Sequence, residues 1–548
     1  AAEAKVAGEA KGGKGEKKEG EKKDAEPQKL PAGSYVLRMD QPYSRMVDML
    51  LDTQYYSTAD PRPYDDTGWT LGPLRNVKTV RVTDATILKA PMTLVTEPPR
   101  ASGGLAGADA AKLYIVDATA EPAIATLRFR LKGVAMTAAE EGFEADGQKF
   151  HAGALLIAGG GEVRSRLDAA AKELGLRVHG TASEVKVAQH AVGVPRIALV
   201  HNWMNTQNEG WFRLMLEEWK IPYTYISDQT VRNSPNLREQ FDVILYPPGP
   251  PDVARVLRGV PRRMLPDGSD AGGPIPWEKS ELTPNFADGP DQTADIRGGL
   301  GLEGAANLQK FVQQGGVFIP IAGSAALPIT LGVTEGVSVA QTRQLQARGA
   351  IMNADVVGQN SPITYGYDDR VSVYFNQAPV LHVSLTGDMG GFNPAAEHEG
   401  RTSGRGSMTD PDIPQARPWV APEPEPHRTK VEQETYVDPE LRDLLRGVIP
   451  PPELRPRVVL RFAPEKNLWV SGMLAGAGEL AETPAIVDVP VGRGHVVLFA
   501  INPMWRQETQ GSFMLVLNTA LHFDHLAAGW KPPVEGAART PTKTGGEE

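Results

Sequence analysis

The stretch Arg196–Pro247, RIALVHNWMNTQNEGWFRLMLEEWKIPYTYISDQTVRNSPNLREQFDVILYP, decides the fold. Arg196–Val200 is a short apolar run and predicts a buried strand. Glu209–Trp219 carries Trp211, Phe212, Met215, Leu216 and Trp219 at helical spacing. Pro222 stops that helix, because its ring removes a donor and clashes with the preceding turn. Tyr223–Ile226 and Phe241–Tyr246 predict two more strands. Strand, helix, strand and strand joined by short links make an α/β unit around a parallel sheet. Ligands of such sheets sit beyond the carboxyl ends of the strands. The loop His201–Asn208 is therefore the first place to look for function.

That loop and the start of its helix crowd together His201, Trp203, Asn205, Asn208, Glu209 and Trp211. One reading is a pocket with aromatic walls and amide donors, suited to a sugar or a peptide. The other is that Asn208 caps the helix while the tryptophans pack between domains. Ser324, in IPIAGSAALP, follows a predicted buried strand as an elbow nucleophile would. It lacks the G-x-S-x-G signature, and no histidine follows at an evident partner position, so a turn or capping serine is the plainer reading. His522 and His525, in HFDH, stand three apart on a predicted last helix, a spacing that can hold a metal, without an identifiable third ligand. Arg506, Gln507 and Glu508 follow a strand and suit an anion or an interdomain salt bridge. Asp65, Asp66 and Asp84 lie in turn-rich sequence, where aspartate usually serves the turn.

The 548 residues suffice for roughly two to four domains. A formal net charge of −10 argues against a general nucleic-acid binder. No apolar run reaches membrane-spanning length. There is no cysteine, which excludes disulfides, thiolate metal sites and a cysteine nucleophile.

Residues 1–29 are mostly Ala, Gly, Lys and Glu with no aromatic, the composition of a disordered linker. Residues 30–110 hold a strand near Tyr35, an amphipathic helix in Gln41–Tyr56, a turn-rich segment Arg62–Leu71 and a strand Val77–Val82. A flexible connection at 98–108 follows. Residues 111–194 predict a small α/β module, and 195–530 the larger α/β domain, interrupted by surface insertions at about 248–299 and 387–456. The second insertion holds a proline-rich, extended part. A polar tail covers 531–548. Gln28–Met39 (QKLPAGSYVLRM) and Gln148–Gly159 (QKFHAGALLIAG) share Q-K-φ-x-A-G before an apolar strand, a weak internal repeat. The second copy closes a module. The first stands where ordered sequence begins, so the chain is expected to start at the end of a truncated unit.

Three stretches together carry a resemblance. RMDQPYSRMVDMLLDTQYYSTADPRPYDDTGWTL (38–71) resembles the segment after the catalytic domain of large bacterial zinc carboxypeptidase-like proteins of the carboxypeptidase A superfamily. NEGWFRLMLEEWKIPYTYISDQTVR (208–232) with FDVILYP resembles the class I glutamine amidotransferase-like domain that follows there, and 470–521 resembles that domain's C-terminal part. The resemblance implies a flavodoxin-like parallel sheet lacking its nucleophile. It also implies a noncatalytic structural or substrate-binding role beside a peptidase domain, and a secreted or periplasmic location. No His-x-x-Glu occurs among the ten histidines. The zinc of that family would therefore belong to a peptidase domain or chain elsewhere, with no cofactor in this one. The rivals are a free-standing peptide- or glycan-binding module and a serine hydrolase using Ser324.

Overall fold

The computed structural model describes residues 2–5, 27–60, 69–99, 101–108, 110–286, 291–358, 360–385, 429–437 and 449–530. Its centre is a parallel sheet of β1 (Ile197–His201), β2 (Thr224–Ser227), β3 (Val243–Tyr246), β4 (Val317–Pro320) and β5 (Gly494–Phe499), in the order β2-β1-β3-β4-β5. That is the flavodoxin-like order, with its switch point between β1 and β3. Ala198 lies opposite Thr224 on one side and Ile244 on the other, and Val243 lies opposite Val317. Every residue of β1, β3 and β4 is buried. This explains their unbroken apolar runs, since helices cover both faces of a parallel sheet.

The helices are α1 (Gln207–Glu218), α2 (Asp228–Asn233), α3 (Val253–Arg258), α4 (Gly301–Gln313) and α5 (Phe513–Leu521). α1 buries Phe212, Met215 and Leu216 and ends where Lys220 turns left-handed, at φ 54°, before Pro222. It begins at Gln207, so Asn208 sits inside the first turn and caps nothing; the N-cap is Thr206. α5 is shorter than Gly511–Ala527 predicts, because a 3-10 turn precedes it and the chain turns away at His522.

The sheet does not stop at β5. Across the tight turn at Gly492 and Arg493, β5 pairs antiparallel with Pro484–Val491. Arg457–Phe462, Gln346–Val356, Trp469–Ala475 and Tyr55–Tyr56 follow, making one continuous eleven-stranded sheet with Arg370–Phe375 paired to Gln346–Val356. Sequence composition predicts strand throughout Val371–Val383. The chain instead splits there, and Leu381–Val383 pairs with Val337–Val339 in a separate ribbon.

The small module is a six-stranded sheet ordered Gln189–Ala191, Thr137–Ala139, Leu155–Ala158, Leu113–Val116, Arg177–Thr181, Gly104–Gly107. Residues 104–107 correct the expectation of a flexible connection. A Cβ on Gly107 would stand 2.3 Å from the Gly180 carbonyl, so glycine serves close strand approach here rather than flexibility. Helices Ala123–Arg130 and Gly161–Leu174 accompany this sheet. The two copies of the repeat do not fold alike. Leu155–Ala158 is a central strand, whereas Tyr35–Leu37 forms none and leaves Tyr35 67% exposed. Val77–Val82 likewise forms no strand; Val77 and Val80 are exposed. Within the predicted linker, Ala2–Lys5 pairs with Pro27–Leu30, a backbone ladder that needs no apolar side chain. Most of 1–29 and 387–456, and all of 531–548, lie outside the described residues, as do Asp65 and Asp66. The part of the second insertion that is described forms a helix, Lys430–Thr435, whose Glu434 takes both arms of Arg461 at 2.6 and 2.7 Å. Among the described residues no helix is long and apolar enough to cross a membrane.

Module and large domain meet closely. Gly153, at φ 90°, faces Tyr365, and a Cβ there would stand 2.4 Å from the tyrosine Cβ. Gly153→Ala is expected to force the junction apart and destabilise the protein by on the order of 2 kcal/mol or more, read as a lowered urea midpoint. An unchanged midpoint would show that the junction is not tight in solution.

Candidate ligand site at the carboxyl ends of the parallel strands

β1 delivers His201 to the switch point as its last residue. The imidazole is 3% exposed, stacks on Tyr225 at 4.3 Å and meets Trp203 edge-on at 4.7 Å. Its Nε2 lies 3.0 Å from Oδ2 of Asp291, which the first insertion carries back over the strand ends. Burial pushes the Asp291 carboxyl up, but hydrogen bonds from His201 and Ser227 outweigh it and hold the group below the usual carboxylate range. The insertion is fastened further by Trp277, which stands edge-on to both Trp203 and Phe286. Two of its arginines are paired: Arg297 with Asp270 and Asp295, at 2.5 and 2.9 Å, and Arg262 with Asp295 at 3.8 Å. What sequence composition marks as a surface insertion is thus a cover over the strand ends.

Beneath it are two carboxyls with unsatisfied oxygens. Tyr225 donates its phenol to Oε1 of Glu209 at 2.7 Å, while Oε2 of Glu209 is buried without a partner. Burial raises the Glu209 pKa against that hydrogen bond and the nearby charges of His201 and Arg213. Asp228, 1% exposed at the start of α2, has Oδ1 unpartnered, and burial pushes it up to about 7. The indole Nε1 atoms of Trp203 and Trp211 are also buried and unpartnered. Asn202 shapes the loop, its Oδ1 accepting from the backbone N–H groups of Met204 and Asn205 at 2.9 and 3.0 Å. Asn205 reaches toward the Pro248 carbonyl at 3.5 Å. The structure therefore joins His201, Trp203, Asn205 and Glu209 in one polar, aromatic cluster, with Asn202, Asp228, Tyr225 and Asp291 as members that sequence reading missed. Only the strand-end position could have flagged Asp228. Asp291 had no local signal.

Ser324 is 1% exposed, and its hydroxyl donates to the Pro247 carbonyl at 2.7 Å. The residue in the strained left-handed conformation just after β4 is Ala322, at φ 48°. The elbow position that presents a nucleophile in such sheets therefore carries a methyl group. Arg506 and Gln507, at φ 48° and 59°, form the turn after β5 instead of joining the His201 cluster. Arg506 lies over Trp505 at 4.8 Å, and the Gln507 amide is buried without a partner. Asp84 accepts from the Thr86 N–H and hydroxyl, serving its turn.

His522 and His525 acquire a third histidine from the module. His190 Nε2 lies 2.9 Å from His522 Nδ1, its Nδ1 lies 3.3 Å from Glu140 Oε1, and its ring stacks on His525 at 5.0 Å. Tyr365 closes the cluster edge-on to His522. His525 Nδ1 is 2.8 Å from Asp524 Oδ1 without the alignment of a hydrogen bond. Burial first, then the neighbouring histidines, lowers the His522 pKa to about 3. Among the described residues no group of three or more His, Asp or Glu is placed to hold a metal ion. The cluster is a hydrogen-bonded junction of imidazoles.

Beside the cluster, a groove of about 500 Å³ is lined by Met204, Asp252, Arg255, Arg258, Val260 and Pro261, among others. It lies where α3 leaves β3, at the switch point.

No family model matches the chain, and no curated protein matches it. Among solved structures it is similar to a ThuA-like protein from Bacteroides uniformis, at 8% identity and TM-score 0.28 over 63% of this chain and 95% of that one. It is also similar to a cytoplasmic protein from Salmonella typhimurium, at 10% identity and TM-score 0.27 over 59% and 98%. A third similarity is to a β-galactosidase from Bacillus circulans, at 11% identity and TM-score 0.27, where 61% of this chain spans 31% of that enzyme. The strand order itself defines the fold class: flavodoxin-like α/β.

Proposed function

We propose that the chain is a noncatalytic α/β unit that docks against a zinc peptidase domain of the carboxypeptidase kind and acts as its structural or substrate-binding partner. The observation that carries this reading is the apolar surface of the N-terminal segment. Tyr35, Leu37, Tyr43, Met46 and Met49 are all exposed, and helix Ser44–Leu51 buries no residue. The segment is nonetheless attached. Arg81 pairs with Asp48 and Asp52, and the Thr70 hydroxyl donates to the Asp52 carbonyl at 3.0 Å and lies in hydrogen-bond contact with the Ser471 hydroxyl at 2.6 Å. A fixed apolar patch of this kind suits a protein interface. The occupant is argued from the sequence 38–71, which resembles the stretch joined to the peptidase domain in those proteins. The methyl group at Ala322 and the absence of cysteine support a role without amidotransferase chemistry.

The test is sedimentation of the chain mixed with the zinc domain of a bacterial carboxypeptidase-like protein that carries the 38–71 pattern. A complex is expected, and Tyr43→Ser with Met46→Ser should abolish it while the purified chain alone holds no stoichiometric zinc. No complex, or one indifferent to the double substitution, overturns the docking. A second reading, a free-standing peptide- or glycan-binding module, is favoured by the groove at the switch point.

A further inference from the structure

We propose that the groove beside the switch point binds an organic anion: a carboxylate or phosphate held by Arg255 and Arg258, with an apolar body against Met204, Val260 and Pro261. This gives the substrate-binding part of the proposed function a ligand class, and it rests on that reading only for its biological setting.

The chain carries a net −10, and around the first insertion three arginines are engaged. Arg297 pairs with Asp270 and Asp295, Arg262 with Asp295, and Arg232 donates to the Gly299 carbonyl at 2.6 Å. Arg255 and Arg258 are different. Both are exposed, both line the groove, and neither side chain has an ion pair or hydrogen bond among the described residues. Standing three apart on α3, they lie on one face of the helix. The one carboxylate of the lining, Asp252, is already used. Its Oδ1 accepts from the N–H groups of Ala254 and Arg255 at 3.0 and 3.4 Å, capping α3.

Shape and position agree with charge. About 500 Å³ is ample for a small ligand. The apolar part of the lining includes Met204, Val260 and Pro261, and the backbone N–H of Met204 is held by the Asn202 side chain. A planar guanidinium matches carboxylate and phosphate oxygens two at a time, and two such forks converge on one anion better than on separate ones. The groove also lies at the strand-order reversal, where open α/β sheets bind ligands.

The experiment is calorimetric and NMR titration of the whole chain at low salt. The probes are an N-acetylated apolar dipeptide with a free carboxylate, the same dipeptide as its C-terminal amide, and inorganic phosphate. Saturable binding is expected for the free carboxylate, for phosphate, or for both, and not for the amide. Preference between the first two assigns the source of the anion. Arg255→Gln and Arg258→Gln should each weaken binding about tenfold, and Arg343→Gln, on a distant surface, should leave it unchanged. Both groove arginines are exposed, so unchanged melting of the variants confirms intact folding. No saturable anion binding, equal binding of the amide, or affinity indifferent to both substitutions overturns the proposal. Because the assay uses the chain alone, a failure here leaves the docking surface standing, and a failure to dock leaves the groove standing.

Discussion

Arg128→Met is expected to destabilise the protein by about 3–5 kcal/mol, the sum of a few buried, charge-assisted hydrogen bonds. Arg128 is 6% exposed near the end of helix Ala123–Arg130. Among the described residues its guanidinium pairs with no carboxylate. It donates instead to three carbonyls: Val192 at 3.0 Å through Nε, and Leu131 and Val134 at 3.1 and 3.2 Å through Nη1. Two of these close the end of the helix, where C-terminal carbonyls lack intrahelical donors. The third belongs to the chain leaving the last strand of the module for β1. Burial alone lowers the arginine's pKa, which measures how far the charge is withdrawn from water. Methionine keeps the length of the stem and supplies no donor, so the Val192 and Val134 carbonyls lose this partner at once, while the Leu131 carbonyl keeps the N–H of Val134 at 2.8 Å. The check is the urea midpoint, with Arg130→Met as the comparison. Arg130 pairs with Glu173 at 2.7 Å in solvent, and its loss should shift the midpoint little. Equal shifts for the two variants would show that Arg128 does not hold the junction.

Acidification is expected to open the junction between module and large domain before it disturbs the parallel sheet. His522 is neutral and buried, with a pKa lowered to about 3, and burial lowers His190 as well. The unfolded chain binds a proton on each below about 6.5. Between 6.5 and 3 the folded protein therefore holds fewer protons at His522 than the unfolded one, His190 acts in the same direction below 6.5, and stability rises with pH. Their contribution is intact above pH 6.5 and is lost as pH falls, at up to about 1.4 kcal/mol per pH unit for His522. Glu140 opposes the loss at His190, as does Asp524, whereas His525 adds to it. The switch point behaves oppositely. Asp228, pushed up to about 7, takes its proton in the folded state first, so that site gains relative stability as pH falls from 7 toward 3.8. A global melting curve blends the two effects, so the measurement is hydrogen exchange by segment. Protection at Gln189–Ala191 and α5 should fall between pH 6.5 and 4.5 while that of β1 and β3 persists. His522→Asn, whose amide can still meet His190 without titrating, should blunt the response. Parallel loss in all segments, or a response unchanged in the variant, would refute a local cause.

The parallel half of the fold was legible because burial on both faces leaves an unmistakable mark. IALVH and DVILY leave room for little but interior strand. The long strand Gln346–Val356 was not legible. QARGAIMNADV interrupts its apolar residues with Arg348, Gly349 and Asn353, and the pairing that carries it comes from strands distant in sequence. Gly104–Gly107 was misread for the opposite reason: glycines that allow two backbones to touch look, in one dimension, like slack. At the site, His201, Trp203, Asn205 and Glu209 could be chosen because they follow the first strand. Their partners arrive from elsewhere: Asp291 from a segment that reads as mere insertion, and His190 to His522 from another domain. Arg255 and Arg258 were visible as letters, but only the groove that both of them line makes them conspicuous.

The double membership of β5 has a consequence for how the molecule is made. β4 leaves the ribosome with one side paired to β3 and the other bare. The strand that covers that side, β5, is translated only after residues 321–493, which build the antiparallel half. During that interval the nascent sheet presents an unsatisfied edge, the kind of surface that invites wrong partners. Its closure waits for Gly494–Phe499 to emerge, so a stop codon anywhere before Gly494 would release a sheet lacking its fifth parallel strand.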